Sequence, residues 1–495
     1  MNNYQKDSCS RLSVGRQRPK KLVGAVVVAC LLSACSLAPK TAMEPMPVPL
    51  HWKNAAPAEG WVSTDEARAW SQGQWWLLFD DPVLQGLIAR VDLNNQNLKV
   101  AAANVAQAQA LLRQQQAEFM PQLGAQASQQ RSGGDDRATS GAASINLNAS
   151  WAPDLWGRIR EAVNAQSASV QASEADLAGA RLNAQASLAE AYLALRATDA
   201  EIALMDDIIA GYQRNARITQ NRYDVGVVPR TDTLQAQSTL RNAQATRVAL
   251  QRSRTAYEHA VALLVGEAPA GFAVAPAPWV HTVPRVPAEL PSLLLLRRPD
   301  VASAERAVTA ANAQIGVARS AYFPNLNLSA SLGAGGVHLA DLVSAPSLLW
   351  SIGLALAQNI FDGGAREARV EQTLAARDAA VARYRQAALT SMKEVEDQLS
   401  ALATLAAQTE HVRAAADAAE RIEQQQMNRY QAGLTSYTEV VQAQASALSA
   451  RRSLLQLQLQ RQQAAVGLIQ ALGGGWQVPW VVERPIAPLS PAAPR

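Results

Sequence analysis

The chain has 495 residues, enough for two or three ordinary domains or one elongated one. Charged residues make up only 17% and aromatics 5%, while Ala, Gln and Leu recur throughout, a composition that fits long helices packed through small side chains better than a compact enzyme core. The formal charge of +4 does not signal a nucleic-acid partner: the first 34 residues carry six basic side chains against Asp7, and the remainder falls just below neutrality.

Residues 1–34 read as a secretory leader. Lys20-Lys21 close its basic region, and the apolar run Leu22–Leu32 is too short to span a bilayer. Leu32-Ser33-Ala34-Cys35 then resembles the bacterial lipobox, in which the thiol is diacylated, the peptide is cut before it, and the new amine is acylated. Cys35 is the expected lipidation site, and several chains on one residue anchor far more firmly than a single myristoyl. Ser36 in the following position resembles the sorting signal for the outer membrane. The plainer reading is an ordinary signal peptide with an incidental cysteine. Cys9 and Cys30 leave with the leader, which excludes a disulfide or a Cys-based metal site in the mature chain. The basic region is long for a leader, which allows a start downstream of Met1.

A Pro-rich tether follows over residues 35–63. Trp75-Trp76 to Leu84 opens a predicted helix reaching about Arg90, and Asn94 to Glu118 forms a second. At Pro121 the period changes to two: strands are predicted at about 121–131 and 142–152, separated by a polar turn over Arg131–Ser140. In the second of these, Ile145, Leu147, Ala149 and Trp151 share one face, opposite Ser144, Asn146, Asn148 and Ser150. A helix free of proline then runs from about Gly157 to Arg222, and a return helix from Thr231 to about Val265.

The pattern then repeats. After a linker at 268–291, strands are predicted at about 324–333 and 348–359, with a Gly-rich loop from Gly333 between them. A long helix from Gly363 to Arg429 and a return helix from Thr438 to Leu472 follow. Both breaks carry one motif: Arg222-Tyr223, Gly226, Thr231-Asp232 and Gln235-Ala-Gln237 recur as Arg429-Tyr430, Gly433, Thr438-Glu439 and Gln442-Ala-Gln444. The domains are therefore a first repeat over 64–267 with its tip at about 222–232, a second over 292–475 with its tip at about 429–439, and a Pro-rich tail over 476–495. Each long helix would extend about 100 Å, too long for a globular domain.

Strands of this length, apolar on one face and small and polar on the other, suit a membrane barrel. A soluble sandwich is the alternative, but it needs partner strands that the chain lacks. Four strands cannot close a barrel in lipid, because open edges leave backbone groups unpaired. The fold class is thus mainly α with a pair of membrane β hairpins. Copies must share one barrel: two would give a filled interior, three a bore, and the small inward residues favour three.

Here a resemblance becomes specific. Leu295-Leu-Arg-Arg-Pro-Asp300 through Glu305, Ala310 to Arg319, and Tyr322-Phe-Pro324 resemble the TolC-type outer-membrane efflux family in its lipoprotein, NodT/OprM-like branch. Trp75 to Leu84 and both tip motifs also fit, so the likeness spans almost the whole mature chain. It implies a homotrimer with a shared 12-stranded β-barrel and a long periplasmic α-helical barrel. It also implies docking to a periplasmic adaptor protein and an inner-membrane efflux pump of the RND type. By motif alignment with that family, Thr231 and Asp232 match positions that link neighbouring hairpins in a closed periplasmic gate, Tyr430 matches the tyrosine that bonds the aspartate, and Glu439 matches an acidic ring. Gln442 and Thr435 depart from it, standing where relatives carry charged residues.

No catalytic constellation is visible: His51, His259, His281, His338 and His411 share no ligand spacing, and no phosphate loop or nucleophile elbow occurs. No enzyme, cofactor, resident metal or nucleic-acid partner is expected. The purely local reading of the tips has Gly226 and Gly433 ending helices, the acids opposing a helix dipole, and Thr231 capping. Rival functions are a lipid-anchored periplasmic coiled-coil adaptor without a pore, and a duct serving protein secretion. The methionines form no cluster that would favour metal export.

Overall fold

The computed structural model describes residues 73–135, 137–284, 297–337 and 348–480, together with 38, 39, 49, 51–53 and 286. The leader, Cys35, most of the tether and the end of the tail lie outside the described residues. The chain divides into two compact units, each assembled from separate stretches of sequence.

One unit, which includes 112–166 and 310–377, carries the sheet. Strands β1 (Gln122–Gly134), β2 (Arg137–Trp151), β3 (Asn325–Gly336) and β4 (Leu348–Ala357) are antiparallel in the order β1-β2-β3-β4. The register stacks like with like. Leu123, Ala149, Ala330 and Ile352 lie in one row across all four strands, and Ala125, Leu147, Leu332 and Trp350 in another. Because side chains alternate, the intervening row of Gly124, Asn148, Ser331 and Ser351 points to the opposite face. There Ser331 and Ser351 hydroxyls bond at 2.8 Å, and Ser128 and Ser144 at 2.9 Å. The apolar face is open, with Ile352 78% and Leu354 70% exposed. Trp156 closes the helix side of the unit, stacked on Phe323 with its indole N–H donating to the Pro324 carbonyl at 2.7 Å.

Two loop expectations give way to strand. Most of the Arg131–Ser140 segment continues the ladder, Ser132 pairing with Ser140 and Gly134 with Arg137, with a turn at Asp135, because backbone pairing with the neighbouring strand rather than side-chain character carries an antiparallel ladder. The Gly-rich segment is likewise the end of β3, paired with Ala143–Asn146. Gly333 is needed for contact rather than for turning: a Cβ there would meet the Asn146 side chain and lie 2.8 Å from the Ile145 carbonyl.

The helices complete the duplication. They are α1 (Pro82–Asn94), α2 (Gln96–Ala117), α3 (Arg158–Asp224), α4 (Arg230–Leu264), α5 (Pro299–Ser320), α6 (Ala365–Gln431) and α7 (Tyr437–Ala471). Helices α3 and α6 each have 67 residues, and α4 and α7 each have 35. Among the described residues no helix is apolar enough to cross a membrane. The expected helix from Trp75 to Arg90 is split. A 3-10 turn at Trp75–Phe79 ends at Asp80, whose φ is +48°, and α1 starts afresh at Pro82. The cause is local: Asp81 caps Val83 and Leu84, and proline suits the first helical position. Asn95 separates α1 from α2 by the same device, accepting from Asn97 and Leu98.

The helical unit holds the main core, where Trp75, Leu84, Ile88, Leu188, Leu195, Val395 and Ile469 are fully or almost fully buried. Charged groups inside it are paired, as burial requires. Buried Arg196 donates to the Tyr192 hydroxyl at 2.8 Å and to the Ala275 carbonyl at 2.7 Å, while Tyr192 donates to Asp81 at 2.7 Å. Arg298 gives the Arg-Arg-Pro-Asp motif its physical meaning: it binds Asp300, Glu394 and the Ala471 carbonyl, tying the start of α5 to α6 and to the end of α7.

Candidate functional site

The two helix breaks have the same backbone. After α3, Gly226 adopts φ +76°, its N–H bonding the Tyr223 carbonyl at 2.8 Å and Val227 the Arg222 carbonyl at 2.8 Å. After α6, Gly433 adopts φ +77°, bonding Tyr430 at 3.0 Å, with Leu434 bonding Arg429 at 2.9 Å. This paired pattern satisfies the last carbonyls of each helix and needs a left-handed residue. A Cβ added at either glycine would meet no atom within 4 Å, so φ and not space selects glycine.

The return helices begin at Arg230 and Tyr437, capped by the extended residues Pro229 and Ser436 without a side-chain bond. Thr231 is therefore not a cap, contrary to the local expectation: proline holds the extended position before the helix, and Thr231 falls inside the first turn. Asp232 and Glu439 also lie in first turns, where a carboxylate opposes the helix dipole.

Their side chains diverge. Tyr430 is 3% exposed, whereas its counterpart Tyr223 is 38% exposed. The Tyr430 hydroxyl reaches Asp232 of the other hairpin at 3.5 Å, far longer than a closed O–H to carboxylate bond of about 2.6 Å. Arg222 holds Tyr430 from a second side, donating to its carbonyl at 2.8 Å and lying 4.9 Å from its ring centre. Tyr437 packs edge-on at 5.0 Å, and Ala236 and Val440 close the cluster. Burial pushes the Tyr430 phenol above its usual pKa and that of Tyr437 up to about 12.

Thus Asp232 and Tyr430 meet, while Thr231 and Glu439 are exposed and lie outside the cluster. Gln442 is exposed, and the Thr435 hydroxyl has no hydrogen-bond partner among the described residues. Sequence reasoning missed Arg222 and Tyr437 as members. Tyr437 follows Tyr430 by seven residues across the turn, a signal hidden because its counterpart in the first hairpin is Arg230.

Further along the same helices, Arg451 of α7 bonds Glu420 at 2.8 Å and Glu423 at 3.5 Å beside a cavity of about 540 Å³. Burial raises the Glu423 pKa, Arg451 opposes that shift and Glu420 adds to it. Arg452 pairs with Glu201 of α3. These ion pairs join the second hairpin internally and to the first. Among the described residues no grouping of His, Cys, Asp and Glu is suited to a metal ion.

A family model described as outer membrane efflux protein matches residues 87–267 and 290–474, covering both repeats. The pyoverdine export outer membrane protein OpmQ of Pseudomonas aeruginosa is 33% identical over 468 residues, 91% of this chain and 96% of its own. The toluene efflux pump outer membrane protein TtgC of Pseudomonas putida is 30% identical over 467 residues, 92% and 96% of the two chains. The crystal structure of the open state of the Neisseria gonorrhoeae MtrE outer membrane channel superposes with a TM-score of 0.78 at 27% identity, covering 90% of this chain and 99% of that one. The adaptor reading has no support among these relatives. With a duplicated helical hairpin unit and four strands per chain, this protein belongs to the outer membrane efflux protein family and is a channel of the TolC type.

Proposed function

We propose that the protein is the passive outer-membrane duct of a tripartite efflux system. Three copies pool their strands into a 12-stranded barrel and their hairpins into a helical barrel. Cys35, bearing diacylglycerol and an acyl chain, anchors each copy in outer-membrane lipid. A periplasmic adaptor and an RND-type inner-membrane pump supply cargo and energy, so the duct needs no catalytic residue or cofactor of its own. The names of two relatives refer to pyoverdine and toluene, chemically unlike cargoes, which supports leaving selection to the pump.

The observation that carries this reading is the sheet: an in-register apolar face left open, with β1 and β4 each paired on one side only. In hydrocarbon such edges cost several kcal/mol per unpaired group, so strands from other copies must complete them. The tips form the periplasmic gate. Asp232 and Tyr430 supply its lock and Gly226 and Gly433 its turns, while Thr231 and the acidic position Glu439 face the neighbouring hairpins and the constriction. Three carboxylates at one level attract cations.

Light scattering of the detergent-purified full chain, followed by insertion into planar bilayers, tests the proposal. Three copies and ion conductance are expected; a non-conducting monomer would refute it. Separately, incorporation of labelled palmitate is expected to disappear in Cys35→Ser, and retained label would remove the anchor.

A further inference from the structure

Helices α3, α6 and α7 and the start of α5 line a cavity of about 780 Å³, none of whose residues belongs to the tip motifs. That volume is within the range of small-molecule sites, about 300–1,000 Å³. Small residues leave the space: Gly179, Ala401, Ala464 and Gly467 stand on its wall, and a Cβ at Gly467 would lie 3.0 Å from the Gln398 amide. The charges on the wall do not balance. Its basic group, Arg298, is already engaged by Asp300 at 2.7 Å, Glu394 at 2.6 Å and the Ala471 carbonyl at 3.0 Å. One cation therefore faces three carboxylates, those of Asp300, Glu394 and Glu190. Glu190 of α3 is half-buried and has no ion pair or hydrogen bond among the described residues. Burial raises its pKa, and no neighbouring charge or donor offsets that shift.

The rest of the polar wall is carboxamide. Gln398, Gln460 and Gln463 have no side-chain partner among the described residues, and Gln470 donates to Asn183 at 2.8 Å. Such amides accept from N–H donors but carry no charge. Water can solvate a polar cavity, yet it does not neutralise one. A metal ion does not answer the imbalance either, because no grouping of His, Cys, Asp and Glu among the described residues is suited to hold one. We propose that this cavity binds a linear polyamine, with its ammonium groups against Glu190 and against the Asp300 and Glu394 carboxylates, and its methylenes along Leu182 and Leu405. Cationic groups spaced along a chain match carboxylates carried by three different helices, and the free amides between them accept the remaining N–H groups. The assignment needs neither the duct nor the gate reading.

Titration calorimetry of the detergent-purified full chain with spermidine, at low ionic strength, tests the proposal. Saturable binding of one spermidine per chain is expected. Glu190→Gln keeps the shape and removes the charge, and it should raise the Kd roughly tenfold to a hundredfold. Ala401→Leu fills the space while keeping every charge, and it should weaken binding as well. An equal concentration of Mg²⁺ should leave spermidine bound. No binding by the wild type, or undiminished binding by Glu190→Gln, would overturn the inference. So would full displacement by Mg²⁺, which would mean diffuse attraction rather than a shaped site. Loss of binding in Glu439→Gln with retention in Glu190→Gln would place the cation at the tip and equally refute the cavity. If Glu190→Gln does not assemble, Ala401→Leu decides, since undiminished binding there excludes this cavity. The readout is binding and not conductance, so its failure is separate from failure of the duct reading.

Discussion

The two tip hairpins share a backbone and differ in what they do with it. Both use a glycine near φ +76°, the same paired carbonyl bonds and an uncapped return helix with an acid in its first turn. Yet Tyr430 is buried against Arg222 and Tyr437, whereas Tyr223 stands in solvent. Duplication supplied two equivalent turns, and divergence at a few side chains buried one tyrosine and left its counterpart exposed; on the proposed gate reading, the second hairpin is the latch and the first its post. Where the backbone is under one constraint, the copies agree; where packing decides, they part.

The largest test of that difference is truncation. Tyr430→Ala empties a packed aromatic site and is expected to lower the local opening free energy of the tip by about 3 kcal/mol, whereas Tyr223→Ala costs under about 0.5 kcal/mol. Hydrogen exchange of the tip amides measures both. Equal losses would mean that the hairpins remain interchangeable.

Alkali should act on the second hairpin. The Tyr437 phenol, raised to about 12 by burial, keeps its proton longer in the fold than in an unfolded chain, where it ionises near pH 10. Between those values the unfolded chain binds fewer protons, so stability is full below pH 10 and falls as pH rises toward 12. A spectrophotometric phenolate titration should show a late component that Tyr437→Phe diminishes by one phenol, the remainder belonging to Tyr212, also raised to about 12, and to Tyr192, raised further; an undiminished component would contradict the assignment to Tyr437.

Smaller effects follow from the contacts. Arg222→Gln loses the ring contact and the bond to the Tyr430 carbonyl, a loss of about 1–2 kcal/mol by the same exchange measurement, while Arg429→Gln, on the exposed counterpart, changes little. Gly226→Ala and Gly433→Ala should each cost about 1 kcal/mol and agree within a few tenths, since both pay only for a left-handed backbone. Unequal values would break the backbone equivalence.

Most of the architecture was legible because it depends on period and punctuation. Alternation at Ile145–Trp151 and Leu326–Leu332 located the strands, and glycines at both helix breaks located the turns. Strand ends were less legible: Ser132, Gly335 and Gly336 look like loop residues, and only pairing with a neighbouring strand makes them ladder. The split at Asp80-Asp81-Pro82 was readable in principle, since proline after a capping aspartate marks a helix start. The tip cluster was half visible. Asp232 and Tyr430 stand in the repeated motif, and their pairing was what the family resemblance implied, but Tyr437 lies outside what the copies share, and its place in the cluster arises from burial between hairpins far apart in sequence.

Single-channel conductance of Tyr430→Phe combined with Asp232→Ala tests the central claim most directly, with Tyr223→Phe as the matched change in the other hairpin. The double variant should conduct more than the wild type in planar bilayers, and Tyr223→Phe should conduct as the wild type does. Unchanged conductance in the double variant, or an equal rise in Tyr223→Phe, would contradict the assignment of latch and post.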